Sequence, residues 1–471
     1  MQPGSISSAK RRRPEKALKV FGAGTSSSVF ANKKWLKIAD VDRTRIVKYN
    51  KVAILLLSVG DNMRKLIAPV LVFAILAGTC SCAVPEGPRE TTTVSEITSE
   101  ENTTETSDTS VPDETSASSE AAYVDSGFLK GLRIEKDNCF VSENEKYQDL
   151  INWTMKKAAS RNFNGTLIIG TDDEVLLYQA PNNSLNVDGD PVDPYTTYEI
   201  GSVTKMFTAV EILKLAEQGR IKTDDKLTDY FPKFKAGKDI TIVDLLRMRS
   251  GIPDYVNEPA SFWGDKMKAG FKITDDALSD DDFLDALYKI KKLAFKPGTK
   301  CEYSNTNYHL LAMIIEKIEG IGYGEVISRD IFIPCSMDHS SAVTDGDVTS
   351  VPDKEVGYHE YQKGARGAGD IHSCAKDMLS FDRALFGGTL ISPESMEFMK
   401  KDSSESEYGC GLMNQEDFVF GHNGATNSYI TQNAVIETKE YGNVYFFAST
   451  STALGVEGLF EAFQMAINWA K

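Results

Sequence analysis

Ser202 and Lys205 form a serine–lysine pair three residues apart in Ile200-Gly201-Ser202-Val203-Thr204-Lys205-Met206. At the start of a helix this spacing puts both side chains on one face, within reach of each other. A serine hydroxyl attacks a carbonyl only when a neighbouring base removes its proton, and a lysine kept neutral by burial can be that base. The pattern alone is common: Ser7 with Lys10 and Ser373 with Lys376 repeat it, and an isolated copy reads as a solvated helix face. Two later segments single out Ser202. They are Cys301-Glu302-Tyr303-Ser304-Asn305-Thr306-Asn307-Tyr308, and Phe420-Gly421-His422-Asn423-Gly424-Ala425.

S-x-x-K, then Y-x-N, then H-x-G, in that order, resembles the serine β-lactamase and penicillin-binding protein superfamily, in the branch of class C β-lactamases and D-alanyl-D-alanine carboxypeptidases. The resemblance runs from about residue 140 to 471 and extends to Phe295-Lys296-Pro297-Gly298 and Ala375-Lys376-Asp377-Met378. Tyr255-Val256-Asn257 also fits Y-x-N but closes a segment that matches a structural loop of the family. Lys296-Pro297-Gly298-Thr299 imitates the third motif but precedes the second.

The resemblance assigns roles. Ser202 is the nucleophile, Lys205 accepts or relays its proton, and Tyr303 is general acid or base if neighbouring positive charge holds it as phenolate. Asn305 hydrogen-bonds the substrate and helps hold Lys205; His422 and Gly424 line the substrate site. The N–H groups of Ser202 and Ala425 form the oxyanion hole. His422 stands where most β-lactamases have lysine, and Met248-Arg249 stands where relatives usually have His-Thr. A histidine is largely neutral at pH 7, so slow β-lactam hydrolysis and a peptide or ester substrate are expected.

These residues need elements to hold them. Residues 147–161 read as a helix, 164–170 with 174–178 as a hairpin, and 418–421, 428–436 and 444–448 as strands before a helix over 456–470. Strands from both chain ends around a mostly helical middle imply an α+β fold: one antiparallel sheet flanked by helices, with an inserted helical subdomain at about 240–360.

The chain has 471 residues and a formal net charge of −16, distributed unevenly. Residues 1–82 carry about +11, 83–125 about −10 and 126–471 about −17. The first part contains Met63-Arg64-Lys65 and the apolar run 66–78, the anatomy of an export signal, or of an uncleaved anchor if Met1 is the start. Met63 is the alternative start. Residues 76–82 resemble a lipoprotein box with Thr79 interposed, which makes Cys80 and Cys82 lipidation candidates. Residues 83–125, rich in Ser, Thr and Glu, read as a disordered tether.

The expected protein is therefore an exported serine hydrolase domain over 126–471, held at the outer face of a bacterial membrane or secreted. Its substrate is a peptidoglycan peptide or a small ester or amide; a surface sensor that acylates without turnover is the rival of another class. The acidic balance speaks against nucleic acid. The five histidines show no metal spacing and no phosphate cradle is present, so no metal or cofactor is expected.

Overall fold

The structure, a computed structural model, describes residues 127–135, 138–159, 163–180, 184–186, 189–264, 279–342, 365–401, 408–426, 428–451 and 455–471. The expected export segment, Met63, Cys80, Cys82 and the tether lie outside these residues, as do 265–278 and 343–360 of the expected helical subdomain. Among the described residues no helix is long and apolar enough to cross a membrane.

Eight strands form an antiparallel sheet from both ends of the domain. The early strands are β1 (Arg133–Glu135), β2 (Cys139–Val141), β3 (Gly165–Gly170) and β4 (Val175–Gln179). The late strands are β8 (Met413–Glu416), β9 (Val419–Ala425), β10 (Tyr429–Thr438) and β11 (Gly442–Ser451). Their order is β1-β2-β4-β3-β11-β10-β9-β8, so the seam between chain ends is β3 against β11, with Ile168 opposite Phe447. At the β10–β11 turn Thr438 Oγ1 accepts from Tyr441 N at 2.8 Å, and Gly442 takes a φ of 72° that a side chain would resist.

Among the described residues six helices have ten residues or more: α1 (Gln148–Ala159), α2 (Thr204–Glu217), α3 (Asp280–Lys289), α4 (Asn305–Glu319), α5 (Ala375–Phe386) and α6 (Val456–Ala470). Alternating side chains of β11 meet different layers. Tyr445 lies against Phe386 of α5, and Phe446 against Phe463 of α6. The sheet is thus covered on both faces, which is why β3 and β4 are buried at every position rather than alternating.

Behind the sheet, α2 is buried at every residue from Thr204 to Leu213. Phe207 stacks on Phe381 of α5 at 3.9 Å between ring centroids. Such a helix has no solvent face, so its titratable Lys205 and Glu211 sit in the core. α4 is likewise buried from Asn305 to Ile315 and ends at Gly320 in the left-handed conformation.

A second, three-stranded sheet was not expected from the sequence. It joins β5 (Thr197–Glu199), β7 (Ile371–Cys374) and β6 (Ser341–Ala342), in the order β5-β7-β6. These strands are two to four residues long, too short for periodicity to reveal. β5 leads directly into the Ser202 turn.

Candidate active site

The chain leaves β5 through Ile200 and Gly201, makes a short 3₁₀ turn over Gly201–Val203 and continues as α2. Gly201 has a φ of 53°, and a Cβ there would lie 2.9 Å from Ala425 N. On the facing strand β9, a Cβ on Gly424 would lie 1.9 Å from Ile200 O and 3.2 Å from Ser202 N. Two glycines thus let the Ser202 turn and β9 touch backbone to backbone, which brings the N–H groups of Ser202 and Ala425 to one place. The turn is tied to β7 through Ile200 N to Ile371 O (3.1 Å) and Ile371 N to Thr204 Oγ1 (3.1 Å).

Lys205 is wholly buried. Its Nζ lies 3.0 Å from Ser202 Oγ, 2.8 Å from Asn305 Oδ1 and 2.6 Å from Ala368 O. Burial lowers its pKa to about 7, against the opposing pull of Asp254 and Asp370, so the ammonium and the amine are both accessible near neutrality. The neutral amine satisfies all three neighbours: its two N–H groups donate to Asn305 and Ala368, and its lone pair faces the Ser202 hydroxyl.

Tyr303 completes the group. Its hydroxyl donates to Ser202 Oγ at 2.8 Å, and Lys205 Nζ stands 4.9 Å from its ring centroid. Burial pushes the Tyr303 phenol well above the ordinary tyrosine value, further than its bond to Ser202 pulls it down. Burial thus opposes a phenolate, and Tyr303 stands as a neutral donor to Ser202 Oγ. Asn305, at the start of α4, turns Oδ1 to Lys205 and Nδ2 to Asp254, 2.9 Å away.

His422 lies on β9 with no accessible surface, so the expected direct contact with substrate does not fit this geometry. Its Nδ1 bonds Asn423 O, which can only accept, so the neutral ring presents Nε2 as acceptor to the Tyr408 hydroxyl at 3.1 Å. Burial, then the nearby Lys205, lowers its pKa to about 3, although the bond to Asn423 works in the opposite direction. It backs Tyr303, 6.2 Å between ring centroids, as a neutral group.

The rejected copies of the motifs have other duties. Ser373 is buried on β7 and shares a 2.9 Å bond with Ser340, while Lys376 pairs with Asp377 at 3.2 Å. Tyr255 is buried among Phe262, Trp263 and Phe283. Met248, with a φ of 56°, accepts on its sulfur from Ser304 N at 3.4 Å and Asn307 Nδ2 at 3.3 Å. Cys335, Cys374 and Cys410 are buried free thiols.

The sequence reading missed Asp254, Ala368 and Tyr408. Asp254 stood in a segment read only as a structural loop; Ala368 acts through its carbonyl, which no residue type signals. It also missed a cluster of His339, Cys374 and Asp377, whose donor atoms lie within 4.8 Å of one another. There Asp377 Oδ2 accepts from His339 N and Ser340 Oγ, both at 2.8 Å, and Oδ1 faces Lys376 Nζ at 3.2 Å.

A sheet built from both ends of the domain, with a half-buried serine and tyrosine meeting a wholly buried lysine at the start of its central helix, defines a class of acyl-transferring hydrolases. The Beta-lactamase family model matches residues 150–461, and the chain belongs to that family of serine hydrolases. Penicillin-binding protein 4* of Bacillus subtilis (strain 168) is 29% identical over 300 residues, 57% of this chain and 64% of that protein. The putative penicillin-binding protein PbpX of the same strain is 31% identical over 233 residues, 47% of this chain and 54% of that protein. The chain thus spans less than two-thirds of the length of these curated relatives. A D-stereospecific amidohydrolase from Streptomyces sp. shares the fold, with a TM-score of 0.54 and 24% identity over 68% of this chain and 98% of that one.

Proposed function

We propose that this protein is an exported, membrane-tethered serine peptidase that works through an acyl-enzyme, a D-alanyl-D-alanine carboxypeptidase-like enzyme for peptidoglycan stem peptides. The observation that carries it is the placement of Lys205 Nζ against Ser202 Oγ, Asn305 Oδ1 and Ala368 O at 2.6 to 3.0 Å. Ser202 Oγ bonds to the substrate carbonyl carbon as its proton passes to Lys205. The resulting oxyanion is met by the N–H groups of Ser202 and Ala425. Collapse breaks the C–N bond, and the leaving amine takes a proton delivered through Tyr303, which is replaced from Lys205. Water then attacks the ester, giving its proton to Lys205, and Ser202 leaves with a proton restored. The reading of these relatives as penicillin-binding proteins supports a peptide substrate.

A second reading, an esterase or weak β-lactamase on the same site, draws on the buried, neutral His422, which offers no charge to a substrate carboxylate. A panel of a D-Ala-D-Ala-terminated peptide, p-nitrophenyl esters and nitrocefin separates the two. D-Alanine release with slow nitrocefin turnover is expected; ester cleavage without D-alanine release selects the second reading, and one-shot labelling by a fluorescent penicillin without turnover selects a surface sensor. Mass spectrometry of the protein recovered from membranes tests the tether, with a lipid on Cys80 or Cys82 as the expected result.

A further inference from the structure

Asp254 lies in the loop before α3, almost wholly buried, and acts on Tyr303 through its charge. Its carboxylate gathers five N–H groups. Oδ2 accepts from Asn305 N (3.1 Å), Asn305 Nδ2 (2.9 Å) and Asn257 Nδ2 (2.7 Å). Oδ1 accepts from Val256 N (2.8 Å) and Asn257 N (3.2 Å). The same loop is stitched to the start of α4 by Thr306 Oγ1 to Pro253 O (2.7 Å) and Tyr255 N to Thr306 Oγ1 (3.0 Å).

An asparagine amide has two orientations of nearly equal shape, and its partners choose between them. Turned over, Asn305 would set its oxygen against the Asp254 carboxylate and its NH₂ against Lys205 Nζ. Both ends would then lose a partner in a buried place, each at a cost of about 1–3 kcal/mol. A carboxylate can only accept, so it permits one orientation; a neutral partner at 254 would permit both.

We propose that Asp254 is a positioning residue of the Ser202 reaction: its carboxylate, accepting from Asn305 Nδ2 at 2.9 Å, locks the Asn305 amide with Oδ1 toward Lys205. The inference rests on the reading of Lys205 as the base for Ser202. The charged and titratable groups facing Lys205 are Asp254, Asp370, Tyr303, Tyr308 and His422. Of the two carboxylates, Asp254 favours the ammonium more strongly than Asp370 does. Removing its charge makes the amine easier to form, so the acidic limb of activity moves down in pH even as the rate falls.

The test is the pH dependence of Ser202 acylation by a p-nitrophenyl ester, read as burst rate over pH 5 to 9, on the full chain. Asp254→Asn is expected to lower the acylation rate by on the order of tenfold to a hundredfold. It is also expected to shift the acidic limb downward by about one pH unit. Asn257→Ala removes one loop bond to Asp254 without touching Asn305, and is expected to lower the melting temperature while the limb stays in place. A reduced rate in Asp254→Asn with the limb unmoved, or a limb that moves equally in Asn257→Ala, would overturn the proposal in favour of a loop-holding role. Should Asp254→Asn not fold, Asp254→Glu keeps the charge but displaces the carboxylate; acylation at the wild-type rate in that variant would equally overturn it. Failure of the underlying reading looks different: the wild-type protein would then acylate with no acidic limb, or Ser202→Ala would still show a burst.

Discussion

Tyr408 and His422 share a 3.1 Å hydrogen bond in a buried corner behind Tyr303, with the histidine ring nitrogen as the acceptor. Their rings stand 6.1 and 6.2 Å from that of Tyr303, so the pair forms the wall against which the tyrosine is held. A histidine so placed serves as a neutral acceptor, and its protonation would require breaking the wall.

His422 therefore does not supply the acidic limb of the pH profile. His422→Asn is expected to slow turnover while leaving that limb near the wild-type position. Measuring kcat/KM from pH 5 to 9 in both proteins checks this; disappearance of the limb would identify His422 as the titrating base.

In the proposed mechanism Lys205 supplies it instead. Its folded pKa is lowered to about 7, and the neutral amine is the working form, so activity rises with pH through about 7 and then levels. Lys205→Met, which fills the same buried space without a base, is expected to remove acylation as well as turnover. A normal pH-independent rate in the wild-type protein between pH 5 and 8 would contradict the assignment.

Ser202→Ala should reduce turnover by on the order of 10⁴- to 10⁶-fold and abolish labelling by a fluorescent penicillin. Ser373→Ala, at the other serine–lysine pair of the domain, should change neither, because Ser373 bonds Ser340 and not a lysine. Intact-mass analysis after exposure to penicillin reads both variants at once.

Gly424→Ala tests the backbone contact on which the proposed oxyanion site depends. The added Cβ would meet Ile200 O at 1.9 Å, so β9 and the Ser202 turn must separate. With one N–H donor withdrawn, kcat is expected to drop on the order of 10²- to 10³-fold. The overpacking itself should cost about 1–3 kcal/mol of stability, readable by urea unfolding. A variant with normal kcat would place the oxyanion elsewhere.

Asp382 offers a test of the fold away from the site. Burial raises its pKa to about 8, against the pull of its 2.8 Å bond from Asn433 on β10. The folded protein holds a proton there that the unfolded chain releases near pH 4. This contribution is thus complete below about pH 4 and lost as pH rises through about 8. The stability difference between Asp382→Asn and wild type should grow in favour of the variant from pH 5 to 9, by on the order of a few kcal/mol. A difference independent of pH in urea unfolding would rule it out.

The long elements were legible because hydrophobic runs obey local geometry. The hairpin at 164–178, the strands around 420–450 and the last helix fall where their patterns placed them, within a few residues. Order and spacing of Ser202, Lys205, Tyr303, Asn305 and Gly424 likewise foretold one cluster, because a nucleophile and its base can share a helical turn and the rest follow the family order. The small sheet around β7 was not legible, since strands of two to four residues carry no period.

Sequence alone therefore determined which side chains come together and which helix follows Ser202. Tertiary structure decided their protonation states. Whether Lys205 is amine or ammonium, Tyr303 phenol or phenolate, and His422 neutral or charged depends on burial and on neighbours such as Asp254 and Ala368 that come from distant parts of the chain. Desolvation is a property of the assembled interior: it acts only when the whole fold has excluded water, and no local spacing of residues encodes it.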